Sequence, residues 1–160
     1  MKIAIIKYNA GNIHSVRLAL NRLGFDPVVT DDPETILNAD KVIFPGVGEA
    51  SSAMKYLRNS GIDRLIPELS RPVLGICLGL QLLCSYSEEN QTDCLKIFDL
   101  QVKRFSTKNK VPHMGWNLLV DFSGPLFKNL PVSPYVYFVH SYYAELGVET
   151  CAQTDYGEPF

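Results

Sequence analysis

Basic runs, long apolar stretches, paired cysteines and internal repeats are all missing from this sequence, and each absence removes a class of protein. Net charge is −2 and the calculated pI is about 5.9, so neither nucleic acid nor an anionic membrane is expected as the main partner. The densest cationic stretch, Lys103 to Lys110, reads first as a solvated loop face and second as a contact for a phosphorylated or acidic partner. No apolar run approaches a membrane span, and the opening MKIAIIKY is too short for a secretory h-region. The four cysteines, Cys77, Cys84, Cys94 and Cys151, lack the paired spacing of a zinc site. Reduced thiols in a cytoplasmic protein with no bound metal are therefore the expectation. With 160 residues, 46% of them hydrophobic, and no linker, the chain reads as a single domain over residues 1–160.

What is present is an alternation of strands and helices. Lys2–Lys7 is an apolar run with charged ends, the pattern of a buried strand. After a turn at Asn9–Asn12, Ile13, Val16, Leu20 and Leu23 recur at helical spacing, and Gly24 predicts a left-handed cap. Pro27–Thr30 is a second strand, and Asp32-Pro33-Glu34 has the residues of a helix start. Lys41–Phe44 is a third strand, running into the glycine loop Pro45-Gly46-Val47-Gly48. A helix over Ala50–Asn59 is stopped by Gly61, and a second periodic segment carries Ile62, Leu65, Ile66 and Leu69. Pro72–Ile76 is a fourth strand. Such alternation predicts an α/β fold, an open and mostly parallel sheet flanked by helices, with function gathered at the carboxyl ends of the strands. Beyond about Asn90 the pattern changes. Leu95–Phe105, Met114–Phe122 and Tyr135–Tyr143 predict strands joined by loops, a mixed or antiparallel extension of the sheet.

The chemistry concentrates in RPVLGICLGLQLL, residues 71–83. Gly75 and Gly79 flank Cys77 in a G-x-C-x-G arrangement between a strand and an apolar helix. This is the pattern of a nucleophile elbow, a sharp turn that presents a strained central residue above the sheet. Glycines on both flanks leave room for the turn and for a substrate. The start of a helix at the thiol is expected to lower its pKa. Read alone, the same five residues describe a buried cysteine between packing glycines about equally well. The PGVG loop can turn backbone N–H groups of Val47 and Gly48 toward a developing negative charge and, with the N–H of Leu78, form an oxyanion hole. By itself it reads as an ordinary strand-to-helix turn.

Together, GICLGLQLL and the upstream FPGVGEA resemble the class I (triad) glutamine amidotransferases. YNAGNIHS (8–15), KVPHMGWN (110–117) and YFVHSYY (137–143) narrow the resemblance. They are similar to the glutaminase branch that pairs with the (β/α)₈-barrel cyclase subunit of imidazole glycerol phosphate synthase in histidine biosynthesis. The resemblance implies that Cys77 attacks the side-chain carboxamide of L-glutamine and that ammonia passes to the cyclase, with no cofactor. It implies an oxyanion hole at Val47, Gly48 and Leu78, and substrate contacts from Gln81, Glu89, Ser141 and Tyr142, with Glu88 the rival of Glu89. It also implies partner-facing positions at Asn12, His113 and Trp116. Without it, Gln81 reads as a solvent-reaching helix residue, Glu88 and Glu89 as a charged helix end, and Trp116 and Tyr142 as core or interface aromatics.

The chain departs from that pattern in one respect. The resemblance calls for a His-x-Glu pair downstream of HSYY, and none of His14, His113 and His140 is followed two residues later by an acid. The expectation is a domain lacking its C-terminal segment, a poor glutaminase over these residues alone. The alternative is a catalytically silent binding or scaffold relative of the same fold. A different elbow-cysteine hydrolase would account for G-x-C-x-G but not for PHMGWN or FVHSYY.

Overall fold

Strands β1 (Ile3–Ile6), β2 (Val28–Thr30), β3 (Lys41–Gly46) and β4 (Val73–Cys77) lie parallel in the order β2–β1–β3–β4. The computed structural model describes residues 1–9 and 11–160; the turn expected at Asn9–Asn12 includes Ala10, which lies outside the described residues. Because β2 and β3 flank β1 on opposite sides, the strand order reverses beside β1, which opens a crevice at the carboxyl ends. On one face, helix α1 (Ile13–Arg22) sets Ile13, Val16 and Leu20 against Ile3, Ile5 and Ile43. On the other face lie α2 (Pro33–Leu37), α3 (Ala50–Ser60), α4 (Ile62–Glu68) and α5 (Leu78–Leu83). They bury Ile36, Met54, Leu57, Ile66 and Leu82 against Ala4, Ile6, Val42 and Phe44. The cover of α1 stops short of β4. Leu74 pairs with Ile43 in register, yet Leu74 and Ile76 remain 39% and 38% exposed.

Local signals placed the helix ends as expected. Asp32 accepts the Thr35 N–H at 2.8 Å to cap α2. Gly24, at φ 82°, closes α1 with Gly24 N–H to the Asn21 carbonyl and Phe25 N–H to the Leu20 carbonyl, both at 3.0 Å. Gly61, at φ 75°, ends α3 and begins α4.

The second half forms sheets of its own. Strands β5 (Tyr86–Ser87), β6 (Thr92–Asp93), β7 (Gln101–Arg104) and, far downstream, β10 (Tyr142–Ala144) make a mixed sheet in the order β10–β7–β5–β6. Strands β8 (His113–Leu118) and β9 (Tyr135–His140) pair as an antiparallel ribbon. The expected strand at Leu95–Phe105 shrinks to β7. The N–H groups of Leu95, Ile97 and Phe98 go instead to the carbonyls of Leu82 and Leu83, and that of Lys96 to Cys84, satisfying the end of α5. Likewise, the strand expected over Met114–Phe122 ends at Leu118. The one expected over Tyr135–Tyr143 breaks at Ser141, whose carbonyl accepts the Phe105 N–H at 3.1 Å. The ribbon has two unlike faces. Met114, Trp116 and Tyr137 point outward, while His113, Phe138 and His140 join Phe105, Tyr156 and Phe160 in an aromatic cluster. Among the described residues, no helix is long and apolar enough to cross a membrane.

Candidate active site

β4 delivers Cys77 into a turn with φ 54° and ψ −115°, a conformation that residues with a Cβ rarely adopt. The strained central residue expected of the elbow is thus the cysteine itself. The glycines serve close packing: a Cβ on Gly79 would fall on the carbonyl oxygen of Phe44, and one on Gly75 would lie 2.7 Å from Leu80 Cα. Helix α5 therefore rests with its backbone directly on β3 and β4.

Strand β3 brings the glycine loop alongside. Gly46 is the register partner of Cys77, so the loop and the thiol are neighbours. The strand runs through Pro45 and Gly46, which leaves a shorter loop than expected, Val47 to Glu49, with Gly48 at φ 102°. A Cβ on Gly46 would meet the Tyr8 Oη at 2.5 Å and the Gly79 nitrogen at 2.7 Å. Tyr8 is a residue that sequence reasoning missed. It continues the inward line of Ala4 and Ile6 past the end of β1, tilts against Phe44 at 5.2 Å between ring centroids, and is only 5% exposed. Among the described residues its hydroxyl has no hydrogen-bond partner. Extending the period-two alternation of β1 by one more inward position would have found it.

The electrostatics correct one expectation. Burial of the sulfur on its inner side pushes the Cys77 thiol above its ordinary value. The Leu78 N–H aimed at it pulls the other way, and the charge of Glu89 pushes it up further. The helix start does favour the thiolate, but desolvation outweighs it. The residue itself remains open to solvent.

The other candidate residues have separate surroundings. Gln81 does not reach for solvent: its Nε2 donates to the Tyr142 carbonyl at 2.8 Å and ties α5 to β10. Glu89 turns its carboxylate to the start of α3, where Oε2 accepts the Ala50 N–H at 2.8 Å. Glu88 turns the other way and accepts the Arg104 N–H at 2.7 Å. Burial raises the Glu89 pKa, the Ala50 N–H lowers it and Glu49 raises it. Ser141 and Tyr142 are half-buried at the break between β9 and β10. Asn12 is exposed and caps α1, its Oδ1 accepting the Ser15 N–H at 3.3 Å.

His113 does not face outward. It is 3% exposed and stacks on Tyr156 at 3.9 Å, because a separation of three residues puts it on the opposite face of the strand from Trp116, which is 69% exposed. His140 Nδ1 donates to the Tyr142 carbonyl at 2.8 Å, which leaves Nε2 to accept from His113 Nδ1 at 3.4 Å. Neither nitrogen of His140 is free to serve Cys77. A cleft of about 490 Å³ opens from Cys77 past Leu80, Gln81, Phe138 and His140, a volume suited to a small molecule. A nucleophile at a strained turn, an adjacent glycine loop and an adjoining cleft, largely apolar but reached by Gln81 and His140, are elements that acyl transfer can use.

Comparison with known proteins agrees with this geometry. The family described as "Glutamine amidotransferase class-I" matches residues 4–158. The chain is 57% identical over 163 residues to the imidazole glycerol phosphate synthase subunit HisH of Bacteroides fragilis, covering 100% of this chain and 83% of that protein. It is 44% identical to the HisH subunit of Blochmanniella floridana, with the same coverage. Among solved structures, one described as a glutamine amidotransferase superposes with a TM-score of 0.74 at 20% identity, covering 98% of this chain and 85% of the other, a likeness of fold.

Proposed function

Because the chain belongs to the class-I glutamine amidotransferase family, we propose that it is the glutamine-hydrolysing subunit of an imidazole glycerol phosphate synthase, acting in the cytoplasm in histidine biosynthesis. Cys77 Sγ attacks the side-chain carboxamide carbon of L-glutamine. The carbonyl oxygen takes up negative charge and is held by the N–H groups of Leu78 and the Val47–Gly48 turn. The C–N bond then breaks, the proton given up by the thiol passes to the departing nitrogen so that ammonia leaves, and a γ-glutamyl thioester remains. Water attacks the thioester, releasing glutamate and restoring the thiol.

Gln81, which lines the cleft, and Ser141 and Tyr142 at the neighbouring β9–β10 break receive the amino-acid head of the substrate, and Glu89 receives its ammonium group. The general base lies outside the histidines described above: His14 rides on α1 across the sheet from α5, and His113 and His140 bond one another. Ammonia passes to a (β/α)₈ cyclase subunit, which Asn12 and Trp116 face. The observation that carries this reading is the pairing of Gly46 with Cys77, which sets loop amides beside a strained nucleophile.

The test is Cys77→Ala in the full protein assembled with its cyclase. Glutamine-dependent product formation should fall by about a thousandfold or more, while cyclisation supported by added ammonium salts continues. Retained glutamine hydrolysis would overturn the assignment. A second reading, a binding module without catalysis, draws on the engaged state of His140; it is the outcome if the unaltered assembly uses ammonium salts but not glutamine.

A further inference from the structure

The buried hydroxyl of Tyr8 has no task in the chemistry described so far. A buried hydroxyl without a partner is unfavourable, and this one is placed where a second arrangement of the site would satisfy it. It sits at the carboxyl end of β1, where the strand order reverses, and occupies the space above Gly46 that a Cβ would fill. Gly46 pairs with Cys77. Immediately after it, the backbone is free to turn: Val47 is 51% exposed, and a Cβ on Gly48, at φ 102°, would meet nothing within 4 Å.

A peptide unit is planar, with its N–H and C=O pointing in opposite directions. The Val47 N–H shares a plane with the Gly46 C=O. If the N–H faces the cleft, where an oxyanion forms beside Cys77, the carbonyl faces the interior, where a buried acceptor needs a donor. The Tyr8 hydroxyl is the side-chain donor that lies over Gly46.

We propose that Tyr8 is a positioning residue for the oxyanion-holding turn. Its hydroxyl donates to the Gly46 carbonyl when the Gly46–Val47 peptide presents its N–H to the developing negative charge. Resting on the glutaminase reading above, this adds a group that never touches substrate. It also accounts for a phenol left unpaired among the described residues.

The experiment is Tyr8→Phe, which removes one oxygen, in the full protein assembled with its cyclase. Loss of a whole oxyanion donor costs about 100- to 1,000-fold in kcat, so loss of a donor's support is expected to cost about tenfold. KM for glutamine should hold, as should the rate at which iodoacetamide alkylates Cys77, since that reaction forms no oxyanion. The melting temperature should stay level or rise, because a buried unpaired hydroxyl has gone. An unchanged kcat would overturn the inference, and so would a fall in kcat matched by slower alkylation or a lower melting temperature. An unaltered assembly that fails to hydrolyse glutamine would sink the functional reading itself; an active one indifferent to Tyr8→Phe would sink this inference alone.

Discussion

The carboxyl end of the parallel sheet and the β8–β9 ribbon each present chemistry at the surface, and they are built on opposite terms. Around Cys77 the contacts are backbone on backbone. Gly79 lies against the Phe44 carbonyl, Gly75 against the Leu80 backbone and Gly46 against the Gly79 nitrogen. In the ribbon the contacts are side chain on side chain, with His113 stacked on Tyr156 inside and Trp116 edge-on to Tyr137 outside. Where backbones touch, position is set to fractions of an ångström and any added atom must displace a strand. Where side chains interleave, a face can be varied without moving the chain, which suits contact with another protein.

The most forceful way to break this contrast is Gly79→Ala. The added Cβ would coincide with the Phe44 carbonyl oxygen, so α5 or β3 must move. A loss of about 3 kcal/mol or more is expected, read as failure to fold or a melting temperature lower by more than about 10 °C. A variant melting like the parent would show that α5 does not rest on β3. Trp116→Ala probes the other side of the contrast, with its side chain largely in solvent. Melting should be unchanged while affinity for the cyclase drops about tenfold; the reverse result would make Trp116 a folding residue.

The smallest effect is a pH dependence of the ribbon. Burial holds both His113 and His140 below their ordinary value of 6.5, the Tyr142 carbonyl opposes this at His140, and His113 adds to it there. The unfolded chain takes up protons first as pH falls below about 6.5. Stability from this pair is therefore full above that pH and declines below it, toward the lower folded values. Thermal melts between pH 7.5 and 5.5 should show a modest decline that His140→Gln flattens. A pH-independent parent would refute the burial argument.

This contrast also governs what could be read in advance. The β1–α5 half was legible because each signal is local: Asp32-Pro33 caps a helix, Gly24 and Gly61 close two others, and apolar runs mark strands. The elbow and its neighbouring loop followed from the same signals. The second half was less legible because its pattern is tertiary. The run YVYFVHSYY reads as one continuous strand, and a lone serine does not mark Ser141 as the point where the chain leaves one sheet for another. His113 was assigned to the partner face by the resemblance, whereas its spacing of three from Trp116 along one strand sets it on the opposite, inner face. Tyr8 opens the string YNAGNIHS and continues the inward line of β1, but its place over Gly46 emerges only once β3 is set beside β1.

The loop at residues 95–98 has a further bearing on the nucleophile. Helix α5 is held at its front by glycine contacts and at its rear by four amides from residues 95–98, of which only Phe98 also lines the cleft. The thiol's aim is therefore underwritten from behind. A single nick in that stretch, for instance beside Lys96, would untether the reactive sulfur while every cleft side chain stayed chemically intact, so susceptibility to proteolysis there is a gauge of catalytic fitness.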